Sequence, residues 1–482
     1  MGLTVRILKT VTLSSCVLLA GCAVGPSYRR PPVDTPTNFR GAVANEQSSL
    51  ADLPWWEIFE DERLKQLVTT ALVNNYDVTA AAARVEQARQ AAKQARSEYF
   101  PQVGYTSVLT VGHNQFVGSP SSNAPGAQGF FLGIVATAWE ADIWGRIRRL
   151  NEAARAAYLA TDEARRGVML SLATDVSQAY FELLGLRLQL EIAKESVQSY
   201  TETRDLFTER LQGGLGNALQ TSRAAADLAT AQASVTDLER LIGLKENQIS
   251  VLVGQNPGAV ETTVRLLDEV VPLDVPAGLP SALLERRPDV RSAVQRVRAA
   301  NAQVGVVQSA FFPAIGLTTF LGKLSTPLSE LTSRNTNAWS VGPRASGPIF
   351  TGGGLKAQKR QAVANWEEVT AQYQQTALSA FRDVSDALIS RENFDAVRTQ
   401  LIESVRNNQE AVRLARMRYL EGLSSYVEVL DALQRLYPAQ LALAQTEVNR
   451  RLVILQLYRA LGGGWNLSHE EFSTGVLAST PP

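Results

Sequence analysis

The chain has 482 residues and carries 47 Lys+Arg against 47 Asp+Glu, so no strong overall charge points to a nucleic acid partner. Its two cysteines and two histidines, His113 and His469, show no metal-ligand spacing, which argues against a metal site and against thiol catalysis. We therefore expect neither an enzyme nor a chain that binds a separate cofactor. Alanine, glutamine and leucine fill long stretches while methionine and aromatic residues are scarce, a composition typical of long helices in close contact.

Residues 1–21 are predicted to be an export signal, with a basic start and an apolar run too short to span a bilayer. The sequence LAGC at 19–22 resembles a bacterial lipobox, in which the thiol is lipidated and the chain is cut before it. We therefore expect N-acyl and S-diacylglycerol lipid on Cys22. Ala23, rather than an aspartate, follows it, which by resemblance to bacterial lipoproteins implies delivery to the outer membrane. An ordinary signal peptide with a cysteine nearby is the alternative.

The remaining chain nearly repeats itself. SEYFPQVGYT at 97–106 matches SAFFPAIGLT at 309–318, an offset of 212 residues. Further along, DVS at 175–177 matches DVS at 383–385, an offset of 208 that also relates Gly254 to Gly462. A register kept over this length predicts two repeats of one structure, 61–254 and 280–464.

Each repeat is predicted to contain a helix, two short strands, a very long helix, a turn and a return helix. In the first repeat the helices are expected at about 61–98, 145–212 and up to 253; in the second, at about 280–312, 355–421 and 424–461. Apolar residues alternate at spacings of three and four along the first long helix, which is a heptad seam typical of a coiled coil. About 65 helical residues span about 100 Å, too long for a compact domain.

The strands are expected at 103–111, 130–139, 315–322 and 338–346. Apolar and polar residues alternate in them, as in a transmembrane barrel with lipid outside and water inside. No apolar run long enough for a transmembrane helix follows the signal. Four strands cannot close a barrel, because their edges would face lipid unpaired, so the chain is expected to oligomerise. A small soluble β-hairpin domain between coiled coils is the alternative. Trp139, Trp144 and Trp339 are expected either at the membrane interfaces or packed between barrel and helices.

The lipobox and four further stretches resemble the lipoprotein branch of the TolC-like outer membrane factors of RND efflux systems. The stretches are WWEIFEDERLKQLV (55–68), WEADIWGRIRR (139–149), GPIFTGGGLKAQ (347–358) and RYLEGLSSYVEVLDALQRL (418–436). The resemblance implies an α+β homotrimer whose 12-stranded β-barrel, four strands per chain, is continued by a 12-helix coiled-coil tunnel into the periplasm. It also implies a lipidated N-terminal extended segment at 22–60, an equatorial linker at 255–279 and an equatorial tail at 465–482.

The same resemblance implies a constriction at the periplasmic end of the tunnel. By match to YVEVLDALQR, Val427 corresponds to an apolar ring and Asp431 to an acidic ring, where three carboxylates would repel one another and attract cations. Related channels carry an arginine three positions after the aspartate, but this chain has Gln434 there, with Arg435 beside it. The counterpart of Asp431 in the first repeat is Arg223, so the repeats differ at the mouth. A solvated helix charge is the alternative for Asp431.

The turns between long and return helices correspond to the family's docking tips for adaptor hairpins. Gly213, Gly214 and Leu215 form the first tip, and Gly422 and Leu423 the second. Glycines that only turn the chain are the alternative, and both roles are compatible.

The leading hypothesis is therefore a passive exit duct in the bacterial outer membrane. It would dock a periplasmic membrane-fusion adaptor and an inner-membrane RND-type transporter that supplies the energy, and it would pass small amphipathic compounds. One alternative keeps the fold but makes the chain a duct for type I protein secretion. Another, from a different class, is a periplasmic coiled-coil tether without a pore.

Overall fold

The computed structural model describes residues 23–41, 49–59, 61–110, 129–262, 264–268, 278–325, 329, 333–464, 466–468 and 471. The predicted signal peptide, Cys22, His113 and His469 lie outside the described residues. The chain divides into two units. One comprises residues up to Pro32, Arg84–Asp162 and Ser292–Tyr373; the other comprises Val33–Ala83, Glu163–Arg291 and Gln374–Pro482. Each unit draws segments from both predicted repeats.

Long helices account for most of the described chain. In chain order they are α1 (Glu62–Asn74), α2 (Tyr76–Ser97), α3 (Arg146–Gln212), α4 (Ala218–Leu252), α5 (Pro280–Arg286), α6 (Pro288–Ser309), α7 (Gly354–Leu420) and α8 (Tyr426–Ala460). None of the helices in the described ranges combines the length and hydropathy that crossing a membrane needs.

The helices of the two halves match in length. Helices α2 and α6 each have 22 residues, α3 and α7 each have 67, and α4 and α8 each have 35. The offset between partners is 212 for the first pair and 208 for the other two, the offsets found in the sequence. The same contact also recurs: Asn75 Nδ2 donates to the Leu252 carbonyl at 2.9 Å, and Arg287 Nη1 donates to the Ala460 carbonyl at 3.2 Å.

The single helices expected over 61–98 and 280–312 are each divided in two, which corrects the sequence prediction. The first break is at Asn75, whose backbone is extended and whose side chain accepts from the Asp77 N–H at 2.7 Å. The second is at Arg287, also extended, because the ring of Pro288 disfavours helical geometry in the residue before it. Pro288 then begins α6, where its missing N–H costs nothing.

One unit contains a four-stranded antiparallel sheet in the order β1-β2-β3-β4. Its strands are β1 (Gln102–Thr110), β2 (Gly129–Ala141), β3 (Ala314–Ser325) and β4 (Asn337–Ser346). All four lie within a few residues of the predicted positions. Between β2 and β3 the register shifts after Ala136, and Trp139, Glu140 and Ala141 then pair with Leu317, Gly316 and Ile315. Strands β1 and β4 are the two edges of the sheet.

The other unit has a buried core around the middle of α3. Asp61 caps α1 by accepting from two backbone N–H groups, and its second oxygen accepts from the hydroxyl of Tyr180 at 2.6 Å. Phe59 packs on Phe181 with ring centroids 4.7 Å apart. At Gly185 the backbone of α3 approaches α8 closely, since a Cβ there would lie 2.2 Å from Val448 Cγ2. The close approach of α3 to α8 therefore depends on a glycine at this position.

Candidate functional site

Both helix tips are closed by the same glycine turn. Gly214 has φ +71° and Gly422 has φ +76°, the left-handed region that glycine enters at no steric cost. The residue after each glycine, Leu215 or Leu423, donates its N–H to a carbonyl five residues earlier at 2.8 Å. Both leucine side chains are exposed. The sequence-predicted tip residues, including Gly213, therefore lie together in two matched turns, each presenting an exposed leucine.

An aromatic cluster holds the first turn of α8 next to the tips. The Tyr426 ring meets Phe207 edge-on at 4.5 Å and Tyr419 at 4.9 Å. Its hydroxyl is hydrogen-bonded to Thr203 Oγ1. Tyr419 in turn pairs with Arg210, through its hydroxyl and through its ring face at 5.3 Å. The cluster therefore joins α3, α4, α7 and α8. Its other buried members are Tyr200, Ala224, Leu228, Ala231, Val412, Ala415, Val429, Ala432 and Leu433.

Burial in this cluster raises the pKa of two phenol groups. It raises the pKa of Tyr200 to about 12, helped by the nearby charge of Asp227. Burial also raises the pKa of Tyr426, although the hydrogen bond with Thr203 works in the opposite direction. The role of Tyr426 could not be predicted from the sequence, because its partners lie more than 200 residues earlier or on another helix.

The two predicted constriction residues lie on α8 within one turn of each other. Val427 is 55% exposed although it is apolar. Asp431 is exposed and pairs with Arg435 on the same helix, with Nε and Oδ2 3.0 Å apart. Gln434 donates its side-chain amide to Asp227 of α4 at 3.4 Å. The acidic side chain is thus balanced within its own helix, and a neutral amide links α8 to α4.

Exposed apolar side chains share one face of the sheet. On one face Leu321 pairs with Trp339 and Thr319 with Val341. Leu321, Trp339 and Val341 are exposed, as are Val103, Tyr105 and Leu317 elsewhere in the sheet. On the other face Gly316 pairs with Arg344. An apolar sheet face open to the surroundings is the pattern of a strand that meets lipid.

Aromatic residues lie where the sheet joins the helices. Trp144 stacks on Phe312 with centroids 4.7 Å apart and donates its indole N–H to the Pro313 carbonyl at 2.8 Å. Trp139 donates its indole N–H to the Tyr99 carbonyl at 3.0 Å. Two of the three tryptophans therefore pack at this junction, whereas the third, Trp339, lies on the exposed apolar face.

The first described residues of the chain are seated against this junction. Val24 donates its N–H to the Trp144 carbonyl at 3.0 Å. Gly25 lies so close to Gly305 that a Cβ on Gly25 would come within 2.5 Å of the Gly305 Cα. A Cβ on Gly145 would likewise come within 2.8 Å of Ala23. The segment directly after Cys22 is thus packed backbone to backbone at the boundary between sheet and helices.

No group of histidine, cysteine, aspartate and glutamate side chains able to hold a metal ion occurs among the described residues.

Comparison with known proteins identifies the family. Residues 67–255 and 279–463 match the outer membrane efflux protein family, one match in each half. The chain is 33% identical to "Probable efflux pump outer membrane protein TtgC" of Pseudomonas putida, over 93% of this chain and 94% of that protein. It is 31% identical to "Probable outer membrane lipoprotein SilC" of Salmonella typhimurium, over 95% and 99%.

Among solved structures, the outer-membrane channel OprN superposes with a TM-score of 0.85 at 31% identity, covering 92% of this chain and all (100%) of that one. Taken with the sequence matches over both halves, these likenesses show that the chain belongs to the outer membrane efflux protein family.

Proposed function

We propose that this chain is the outer membrane exit duct of a tripartite efflux pump. The observation that carries the proposal is the sheet, which exposes an apolar face as lipid-facing strands do, in a chain whose matched helices are far too long for a compact domain. Family membership and the efflux role in the name of TtgC support it. The duct is passive: it catalyses no reaction, and the inner-membrane transporter supplies energy and selects the compounds.

The working form is a homotrimer. Edge strands β1 and β4 would leave backbone N–H and C=O groups unpaired in lipid, at several kcal/mol per group. Three copies supply twelve strands for one barrel and twelve helices for a coiled-coil tunnel, the arrangement that the resemblance implies. The equal lengths of partner helices support two repeats in each copy.

Val427 and Asp431 form the constriction at the periplasmic mouth. Both lie on α8 next to the second tip, and both side chains are exposed in the single chain, as residues that face a lumen must be. Three copies of Val427 narrow the opening with apolar surface, and three copies of Asp431 favour cations there.

The tips receive the periplasmic adaptor. Leu215 and Leu423 present matched apolar side chains on glycine turns, a surface that an adaptor hairpin can cover. The inner-membrane RND-type transporter completes the assembly through that adaptor.

Cys22 carries N-acyl and S-diacylglycerol lipid. The lipobox and the word lipoprotein in the name of SilC support this modification. The packing of Val24 and Gly25 at the junction of sheet and helices supports an anchor held close to the membrane surface.

The test is conductance in planar bilayers with a matched pair of variants. Asp431→Ala is expected to raise the unitary conductance and lower cation selectivity, because it removes three carboxylates from the constriction. Asp237→Ala is the control: Asp237 is equally exposed and is also paired with an arginine of its own helix, Arg240, at 2.7 Å.

Unchanged currents in Asp431→Ala would remove the constriction assignment. A protein that inserts but passes no current would favour the pore-less tether. A deletion strain that keeps its normal sensitivity to antibiotics and dyes but no longer secretes a particular protein would favour the protein-secretion duct.

A further inference from the structure

Three arginine side chains line one pocket in the unit that contains the core around the middle of α3. Arg166 lies on α3, Arg286 is the last residue of α5, and Arg291 lies in the first turn of α6. The pocket has an empty volume of about 420 Å³, part of it open to solvent, which falls in the size range of small-ligand pockets. All its lining residues belong to this one unit, so the pocket is built by a single chain.

The rest of the lining is mostly apolar. Met169 and Leu170 of α3 contribute buried side chains, and Pro288 and Leu467 extend the apolar surface. No aspartate or glutamate is among the described residues that line the pocket. Cationic groups beside apolar surface suit a molecule that has an anionic head and a hydrocarbon body.

The three arginines differ in how their charges are balanced. Arg286 pairs with Asp52 at 3.1 Å, and Arg291 pairs with Glu163 at 2.6 Å. Arg166 is half-buried, yet within the described part of the chain no carboxylate or carbonyl pairs with its side chain. A guanidinium binds a carboxylate through two parallel N–H donors, in a strong charge-assisted pair. One guanidinium without a partner therefore matches a ligand with one negative charge.

The other half of the chain shows that the repeated fold does not need these arginines. Moving each of them by the offset between the halves, 208 for α3 and 212 for α5 and α6, gives three uncharged residues: Gln374, Asn74 and Thr79. The long helices of the two halves nevertheless have equal lengths. The positive charge is thus particular to this one pocket, as expected for a site that recognises an anion.

We propose that this pocket binds a small amphipathic carboxylate. The carboxylate pairs with Arg166, and its hydrocarbon body covers Met169 and Leu170. Arg286 and Arg291, each fixed by its own ion pair, form the rest of the cationic wall. A phosphate monoester carries about two negative charges at neutral pH and matches one unpaired guanidinium less well. The bound carboxylate joins α3 to the start of α6 and to the residues that follow α8.

The test uses octanoate that carries a photoreactive diazirine. The full-length protein is placed in phosphatidylcholine vesicles, so that no detergent micelle competes for the probe, and labelled peptides are identified by mass spectrometry after irradiation. We expect saturable label on the peptides that contain Met169 and Leu170 or Leu467. Excess octanoate should reduce this label, whereas excess octanol, which has the same chain length and no charge, should not.

A matched pair of variants tests the role of the unpaired charge. Arg166→Gln should reduce the label about tenfold, as expected for the loss of one charge-assisted hydrogen bond. Arg155→Gln is the control, because Arg155 is an exposed arginine of the same helix that does not line the pocket. Its label should equal that of the parent protein.

Octanol that competes as well as octanoate, or equal label in Arg166→Gln and Arg155→Gln, would overturn the anion site. Label that does not saturate and spreads over the apolar surface of the chain would overturn the pocket itself. Should Arg166→Gln not fold, the competition between octanoate and octanol on the parent protein decides the question. Failure of the proposed exit duct is seen separately, as the absence of current in planar bilayers.

Discussion

The hydroxyl of Tyr426 offers a sharp test of how the first turns of α8, next to the helix tips, are held. In Tyr426→Phe the ring contacts with Phe207 and Tyr419 remain, and only the hydrogen bond with Thr203 is lost. Thr203 Oγ1 also donates to the carbonyl of Ser199 at 2.8 Å, so no buried polar group is left without a partner. The cost is therefore that of one ordinary hydrogen bond, about 1 kcal/mol.

A loss of about 1 kcal/mol corresponds to about fivefold more frequent opening of this segment. Hydrogen exchange measured by mass spectrometry should show the amides from Tyr426 to Gln434 exchanging about fivefold faster. Tyr419→Phe is the control: its hydroxyl meets the exposed Arg210, so the change should stay within about 0.5 kcal/mol. Exchange that is unaltered in Tyr426→Phe, or altered equally in both variants, would refute the reasoning. In planar bilayers, Tyr426→Phe should also open spontaneously more often than Tyr419→Phe.

Three further predictions concern packing and titration. Gly185→Ala places a Cβ 2.2 Å from Val448 Cγ2 and should lower the free energy of unfolding by about 1–2 kcal/mol. The control is Gly243→Ala, where a Cβ has nothing within 4 Å, and it should raise the free energy of unfolding by about 1 kcal/mol. Equal thermal stability of the two variants would contradict the close helix contact. Burial raises the pKa of Tyr200 to about 12, so its stabilising contribution is complete below an unfolded pKa of about 10 and is lost as pH rises toward 12. Between pH 10 and pH 12 the unfolding temperature should therefore fall less steeply with pH for Tyr200→Phe than for the parent. Parallel plots of unfolding temperature against pH would disprove this. Burial disfavours the charged form of Glu447, but the hydrogen bond from Arg398 and the charges of Arg398, Arg450 and Arg451 outweigh burial and lower its pKa. The stabilisation that the Glu447 carboxylate provides is therefore present above about pH 4.5 and is lost as pH falls through the lowered pKa. Glu447→Gln should cost about 3 kcal/mol at neutral pH and flatten the acid limb of a stability profile, and an acid limb of unchanged steepness would count against the network.

The long helices could be predicted from sequence because their signal is local and repeated. A heptad seam of six repeats and a constant offset placed the ends of α3 and α7 within a residue or two. The four strands were placed for the same reason, since alternation and flanking turn residues are visible in short windows. The breaks at Asn75 and Arg287 were missed, although Pro288 directly after an arginine is a helix-start signal that could have indicated the second one.

The contacts around the helix tips could only partly be predicted. The tip glycines and the positions of Val427 and Asp431 follow from a short motif, and the structure places them at the tips and on the first turns of α8. The hydrogen-bond partners of Tyr426 and Gln434 are more than 200 residues away along the chain, on α3 and α4. Nothing in a local pattern selects which side chain such a residue meets, because the answer depends on how the helices pack.

The current that the purified protein carries across a planar bilayer tests the central claim most directly. A duct built from three copies, each lending four strands to one barrel, should give discrete unitary current steps of uniform size. Protein shown to be present in the bilayer that gives no steps at any voltage would contradict the account.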